Sequence, residues 1–278
     1  MKIKITLTLL LFASILSAQI KGVVKDSITG QPIPYVSIWV ENENIGTTSE
    51  ENGTFSINTT SKSKTLIFSS LGFKTKNIAV SNAVAVYLNP IPYQIEEVVL
   101  GDARKGTLWR EIGTVEGGIL EAFDNGPKIA AKFFWYCPDY KKTKYIKQVS
   151  INTDSKIANA SFKIHFYSVN ADGSPGAELL NKDFIVTVSK GNRQTLFDVT
   201  KFGLKMPKNG LFVGFEKLLI ENNRKEDSTI YYPLILNNWV ERDFLYTFSA
   251  GKWNKQTKAG TNGRIKIYEP AITLILTN

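Results

Sequence analysis

The sequence predicts an all-β protein built as two successive β-sandwiches. Three observations carry that expectation. Apolar and polar residues alternate with a period of two along much of the chain, which puts one side-chain set on each face of a strand. Turn signals interrupt the alternation at Thr29-Gly30, Asn52-Gly53, Leu71-Gly72, Asp172-Gly173, Lys190-Gly191-Asn192, Asn209-Gly210 and Ala250-Gly251. Helical periodicity is scarce. The one stretch that could be read as a helix, Leu108 to Phe123, contains Gly113, Gly117 and Gly118 and reads as strand or irregular chain. Short strands between frequent turns are the pattern of sandwiches.

The N-terminus reads as a leader and not as fold. Met1-Lys2-Ile3-Lys4 is positively charged, Ile5 to Leu16 is an apolar run of twelve residues, and Ser17-Ala18 supplies small residues before Gln19. This is the layout of a secretory signal peptide over residues 1–18. Twelve residues are too few to span a bilayer, which takes roughly twenty. No Cys follows the run, so a lipoprotein signal is not expected. Loss of Lys2 and Lys4 takes the formal net charge from +9 to +7 and leaves 260 of the 278 residues. No later stretch is apolar for about 18 residues, so the mature chain is not expected to span a membrane with helices. At 43% apolar it has enough material for a hydrophobic core.

Residues 19–89 form the first domain. Gly22-Val23-Val24-Lys25-Asp26 starts it, and Ser27-Ile28-Thr29-Gly30 makes a turn into Gln31-Pro32-Ile33-Pro34. Val36, Ile38 and Val40 alternate with Ser37 and Trp39. Gly46-Thr47-Thr48-Ser49 leads to the hairpin Asn52-Gly53-Thr54-Phe55. Phe68-Ser69-Ser70-Leu71-Gly72-Phe73-Lys74 makes a corner, and Val84, Val86 and Leu88 alternate with Ala85 and Tyr87. Asn-Gly is a strong hairpin signal, and the two prolines fix an extended entry to the second strand. In this order the elements closely resemble the carboxypeptidase regulatory-like domain, a small transthyretin-like β-sandwich. The resemblance covers about a quarter of the chain. It implies a scaffold or interaction module without catalytic residues. Similar domains often precede TonB-dependent outer-membrane transporters of Gram-negative envelopes, and Gln94 to Leu100 resembles the acidic-apolar segment that follows them there. A transporter barrel needs far more chain than this.

Residues 90–106 read as a linker, opened by Asn89-Pro90-Ile91-Pro92 and closed by the polar run Gly101 to Gly106. Residues 107–278 form the larger second domain. Ile129 to Phe134 and Tyr145 to Ile151 read as strands. So do the alternation of Phe162, Ile164 and Phe166 with Lys163, His165 and Tyr167, that of Phe184, Val186 and Val188 with Ile185 and Thr187, and the runs Thr195 to Val199 and Gly210 to Phe215. Their order is similar to jelly-roll modules of exported proteins, with about eight strands in two sheets.

Composition restricts the chemistry. The chain has one His and one Cys, so a Cys/His zinc site and an internal disulfide are both excluded. His165 alternates with Phe162, Ile164 and Phe166 and is therefore expected to face away from the core or into an inter-domain surface. Cys137 ends an aromatic run, Phe133-Phe134-Trp135-Tyr136, and is expected to be a buried small hydrophobe. Ser61-x-x-Lys64 and Ser249-x-x-Lys252 match serine–lysine spacing but fall in a loop and a hairpin, where that chemistry needs a helical turn. No catalytic residue, metal ligand or cofactor is assigned. Glu241 and Asp243, two residues apart on one strand face, are the pair a carboxylate-dependent polysaccharide hydrolase would use.

The candidate ligand-binding residues are Tyr231, Tyr232, Trp239, Arg242 and Trp253. They lie among Asn237, Asn238, Glu241, Lys252 and Asn254, and aromatic faces beside amides and charges suit sugar or peptide recognition. The competing reading, core rings with one polar tip, is ordinary in sandwiches. The basic excess is spread along the chain and no base-reading motif is present, so nucleic acid is not an expected partner. The expected function is that of an exported, non-enzymatic binding or adaptor protein of the cell envelope, recognising a glycan or a partner envelope protein. The alternatives are the hydrolase and a purely structural assembly subunit.

Overall fold

A computed structural model gives the fold and describes residues 18–59, 62–92, 106–113, 120–123, 126–256 and 265–278. The expected signal peptide, but for Ala18, and residues 93–105 of the expected linker lie outside the described residues. The protein is all-β, and its strands stack as sheets on two separate cores.

The first core lies between two sheets. Their strands are β1 (Ala18–Asp26), β2 (Ser37–Val40), β3 (Gly46–Thr48), β4 (Thr54–Thr59), β5 (Thr65–Ser69), β6 (Lys76–Ala79) and β7 (Ala85–Leu88). One sheet has the order β4-β1-β7, with β1 and β7 parallel; the other is β3-β2-β5-β6. Val24, Phe55, Ile57, Val86 and Leu88 from the first meet Val36, Ile38, Val40, Leu66 and Phe68 from the second. Gly53 is fixed by sterics. Its φ is +75°, and a Cβ there would lie 2.7 Å from the Val24 carbonyl oxygen, so only glycine closes the hairpin. One expected position differs. Val84 is exposed, because β7 begins one residue later and only the Val84 carbonyl takes part, accepting from the Val23 N–H. Ile91 still donates to the Gly72 carbonyl, so this domain's bonding runs past Leu88.

The second core lies between two larger sheets. Their strands are β8 (Trp109–Ile112), β9 (Leu120–Ala122), β10 (Ile129–Phe134), β11 (Tyr145–Ser155), β12 (Ala160–Val169), β13 (Pro175–Glu178), β14 (Phe184–Val188), β15 (Gly191–Asp198), β16 (Leu211–Lys217), β17 (Leu234–Arg242), β18 (Leu245–Ser249), β19 (Lys252–Gln256), β20 (Ile265–Pro270) and β21 (Ile272–Thr277). One sheet runs β13-β12-β16-β10-β18-β19 with β14 also on β12. The other runs β20-β17-β11-β21-β8 with β15 also on β11 and β9 on β17. Each has seven strands among the described residues, where the sequence suggested about eight in all. Some of the extra strands, such as β9 and β13, have only three or four residues and carry too little alternation to read, while β17 and β21 are longer strands of the last third. The described residues of the stretch Leu108 to Phe123 supply strands β8 and β9, while Gly117 and Gly118 lie outside the described residues. Cys137 is half-buried, not buried, because the chain turns there into a short 3-10 segment, Pro138–Lys142.

Alternation places Phe162, Ile164 and Phe166 of β12 in this core, with Leu211, Val213 and Phe215 of β16. The opposite face of the same sheet is not left to water. Ile129, Ala131, Tyr167, Phe212 and Tyr246 form a third apolar cluster there, joined by Phe248 and Trp253. Part of it meets the first domain. Trp39 of β2 packs edge-on against Phe248 with ring centroids 5.5 Å apart. Ser37 Oγ donates to Glu216 of β16, the Leu219 N–H to Thr48 Oγ1, and the Glu221 N–H to Glu50 Oε1. That contact is why all four residues of β2 are buried although successive side chains point to opposite faces.

Candidate binding cleft

A cleft of about 390 Å³ opens where β18 parts from β10. The two strands pair only from Ile129 to Ala131 of β10, while β10 itself continues to Phe134. Beyond Ala131 the chain ahead of β18, Arg242 to Phe244, stands off and leaves a gap reaching toward the space between the sheets. Such a volume suits a small ligand or part of a larger one.

The floor of the cleft is charged. Lys132 sits on the inward face of β10, in step with Ala130 and Phe134, and is 3% exposed. Its Nζ donates to the Gly113 carbonyl at 2.8 Å and pairs with Glu269 Oε2 at 3.1 Å. It also lies over the Phe134 ring, 5.6 Å from the centroid. Glu269, on β20, is buried as well. Arg242 clamps it with two bonds, Nε to Oε1 at 2.6 Å and Nη2 to Oε2 at 2.8 Å, and its Nη1 donates to the Glu241 carbonyl. A buried carboxylate between two cations is strongly held, and a bidentate guanidinium fixes orientation as well as charge. The Arg242 side chain is partly exposed and lines the cleft.

The wall is aromatic. Trp135 is 62% exposed and meets Phe133 edge-on at 4.4 Å. Phe133 in turn contacts Phe244 and Phe212. Tyr140 closes another side, where its hydroxyl pKa is raised by burial and then by Cys137, against the lowering effect of Arg110. Glu241 and Asp243 also line the cleft. Among the described residues no group of three His, Cys, Asp or Glu side chains is placed to hold a metal ion.

The five residues singled out from the sequence do not converge. Arg242 lines the cleft. Trp239 is 51% exposed on the outer face of its sheet, paired with Tyr268 across β17 and β20 at 4.4 Å. Trp253 packs on Tyr167 and Phe248 near the first domain. Tyr232 belongs to the second core. Tyr231 is half-buried beside Arg224, its hydroxyl pKa raised by burial and then by Glu221. Sequence reasoning passed over Lys132, Trp135 and Glu269. One signal was there: Lys132 interrupts the apolar run Ile129 to Phe134, on the face that Phe134 turns to the core.

A second charged cluster lies on the opposite face of the same sheet. His165 is buried between Glu178 Oε2 on Nδ1 and Glu216 Oε2 on Nε2, both at 2.9 Å. Burial pushes its pKa down, but the two carboxylates outweigh that and hold it at about 10. Burial pushes Glu216 up, and its bonds to His165 and Ser37 with the charges of Lys163 and His165 bring it to about 2. Lys163 pairs with Asp183 at 3.0 Å. His165 faces away from the second core and, through Glu216, toward Ser37 of the first domain, the second of the two placements its alternation allowed.

No helix among the described residues is long and apolar enough to cross a membrane. No curated protein and no solved structure matches the chain. Residues 20–100 match the family model of the CarboxypepD_reg-like domain, and the first domain is of that kind.

Proposed function

We propose that this is an exported, non-enzymatic binding protein of a Gram-negative cell envelope, and that its second, jelly-roll-like domain takes a glycan in the cleft beside Trp135. The observation that carries the reading is the joining of an exposed indole to a clamped guanidinium. Trp135 offers a face on which a sugar ring can stack, and Arg242, held in place by Glu269, brings a partly exposed positive charge to the cleft wall. Export rests on the leader pattern of residues 1–18. The first domain supports a non-enzymatic role, being of a regulatory, non-catalytic kind. Purified mature protein should retain oligosaccharides on a glycan array, and Trp135→Ala should weaken that binding about tenfold or more, the scale of losing one stacked ring. No retained glycan, with a partner envelope protein captured by crosslinking instead, would move the reading to a protein adaptor.

A second reading has one observation behind it. Glu241 and Asp243 line the same cleft, as a carboxylate-dependent polysaccharide hydrolase would require. Release of reducing sugar by the wild-type chain, abolished in Glu241→Gln or Asp243→Asn, would establish it.

A further inference from the structure

We propose that the chain of bonds Ser37–Glu216–His165–Glu178 is an ionic latch that holds the two domains together as one unit, closed by a proton on His165. The geometry asks for that proton. A neutral imidazole has one N–H and one lone pair, whereas both ring nitrogens here face carboxylate oxygens at 2.9 Å. Only the imidazolium donates to both. The remaining carboxylate oxygens are also used. Glu178 Oε1 accepts the Phe166 N–H at 2.7 Å, and Glu216 Oε1 accepts the Ser37 hydroxyl at 2.7 Å. The last of these bonds crosses from β16 to β2 and ties the charge cluster to the first domain.

The groups around His165 come from each neighbouring element. Glu178 projects from β13 and Glu216 from β16. Lys163, on the same face of β12, stands opposite Glu216 in register and is paired with Asp183. Tyr167 stacks on the imidazole at 5.4 Å with the planes 11° apart. Burial, then Glu178, Glu216 and Asp183, push its hydroxyl pKa well up, so it stays neutral. The first domain contributes a hydroxyl to this cluster through Ser37. Loss of the His165 proton therefore leaves two buried carboxylates with Lys163 as the nearest cation, itself shared with Asp183. Buried charge without a partner is relieved only when the groups separate and water reaches them, and the Ser37 bond is the one that ties this cluster to the first domain. This latch is independent of what the cleft binds.

His165 is the sole histidine of the chain, so its ring C–H signals in a proton NMR titration of the full-length protein are assigned without ambiguity. The expected result is an imidazolium that persists to about pH 9, with protection of the Ser37–Val40 amides, corrected for the intrinsic pH dependence of exchange, falling progressively as pH rises from 6.5 toward 10. Glu216→Gln should lower the His165 midpoint by about one unit or more. Ser37→Ala should speed β2 amide exchange by about tenfold, the scale of losing one hydrogen bond to a charged group, and leave the β12 amides unchanged. A midpoint near 6.5 in the wild-type protein overturns the proposal, and so does wild-type β2 exchange in Ser37→Ala. If Glu216→Gln does not fold, the wild-type titration and Ser37→Ala decide the matter together.

Discussion

The sheet that carries β10, β12 and β16 bears a buried charge cluster on each face, and the two are closed differently. Around His165 the carboxylate oxygens are filled by protein, ending with a hydroxyl from the other domain. Around Lys132 and Glu269 the charges are also matched, but Arg242 remains partly exposed and an exposed Trp135 stands beside it. Both clusters consist of ordinary ion pairs on strands. Access separates them. The first domain covers the outer face near Ser37 and Trp39, while the departure of β18 from β10 opens the other face. Buried charge by itself therefore does not mark a site on this fold; a cluster can bind a ligand only where the sheet leaves a way in.

The largest expected effect comes from removing one partner of a closed cluster. Glu216→Ala leaves the His165 imidazolium and Lys163 without a shared anion, a change that costs roughly 3–5 kcal/mol when a buried pair is broken. Lys132→Ala should cost less than that, because Arg242 still clamps Glu269 and the cleft admits water. Denaturant midpoints of the two variants at one pH measure the difference. Equal losses would mean that access does not separate the clusters.

The pH dependence of stability sharpens the same contrast. His165 has its folded pKa raised from 6.5 to about 10, so its contribution is full below pH 6.5 and is lost as pH rises toward 10. Glu216 has its folded pKa lowered from 4.5 to about 2, so its contribution is full above pH 4.5 and is lost as pH falls toward 2. These are two sides of one ion pair and are not additive. Chemical denaturation across pH should show a plateau between about 4.5 and 6.5 with stability falling on both sides. His165→Gln should remove most of the alkaline fall, since the chain has no other histidine.

How much of this was legible depends on which neighbour decides each residue. Gly53, Asn52 and the alternation of Val36, Ile38 and Val40 are local signals, and the first domain follows from them. The faces of the second core were also readable, because Phe162, Ile164 and Phe166 mark the inner side of β12 and leave His165 on the other. What covers that other side was not readable. Ser37 lies 179 positions from Glu216, and nothing local in either segment says that they meet. The cleft was hidden for a similar reason. It exists because two strands stop pairing after Ala131, a matter of register between β10 and β18. The five residues chosen from the last third were neighbours in sequence, but β17, β19 and the chain before β17 carry them to different surfaces.

The smallest expected effects discriminate between the two exposed tryptophans. Trp135 and Trp239 are alike in exposure, at 62% and 51%, and each leans on another aromatic ring. Neither replacement by alanine should cost more than about 1 kcal/mol of stability, since little apolar surface leaves the interior. Their effects on binding should differ. Trp135 borders a cavity with Arg242 on its wall, whereas Trp239 lies on an outer sheet face where its ring is tilted 51° from Tyr268 and the two make no flat platform. Titration of each variant with an oligosaccharide retained by the wild-type protein should show Trp239→Ala within about twofold of wild type. If Trp239→Ala were the variant that lost affinity, the ligand would sit on the outer face, and the opening beside β10 would be a gap in the packing and not a binding site.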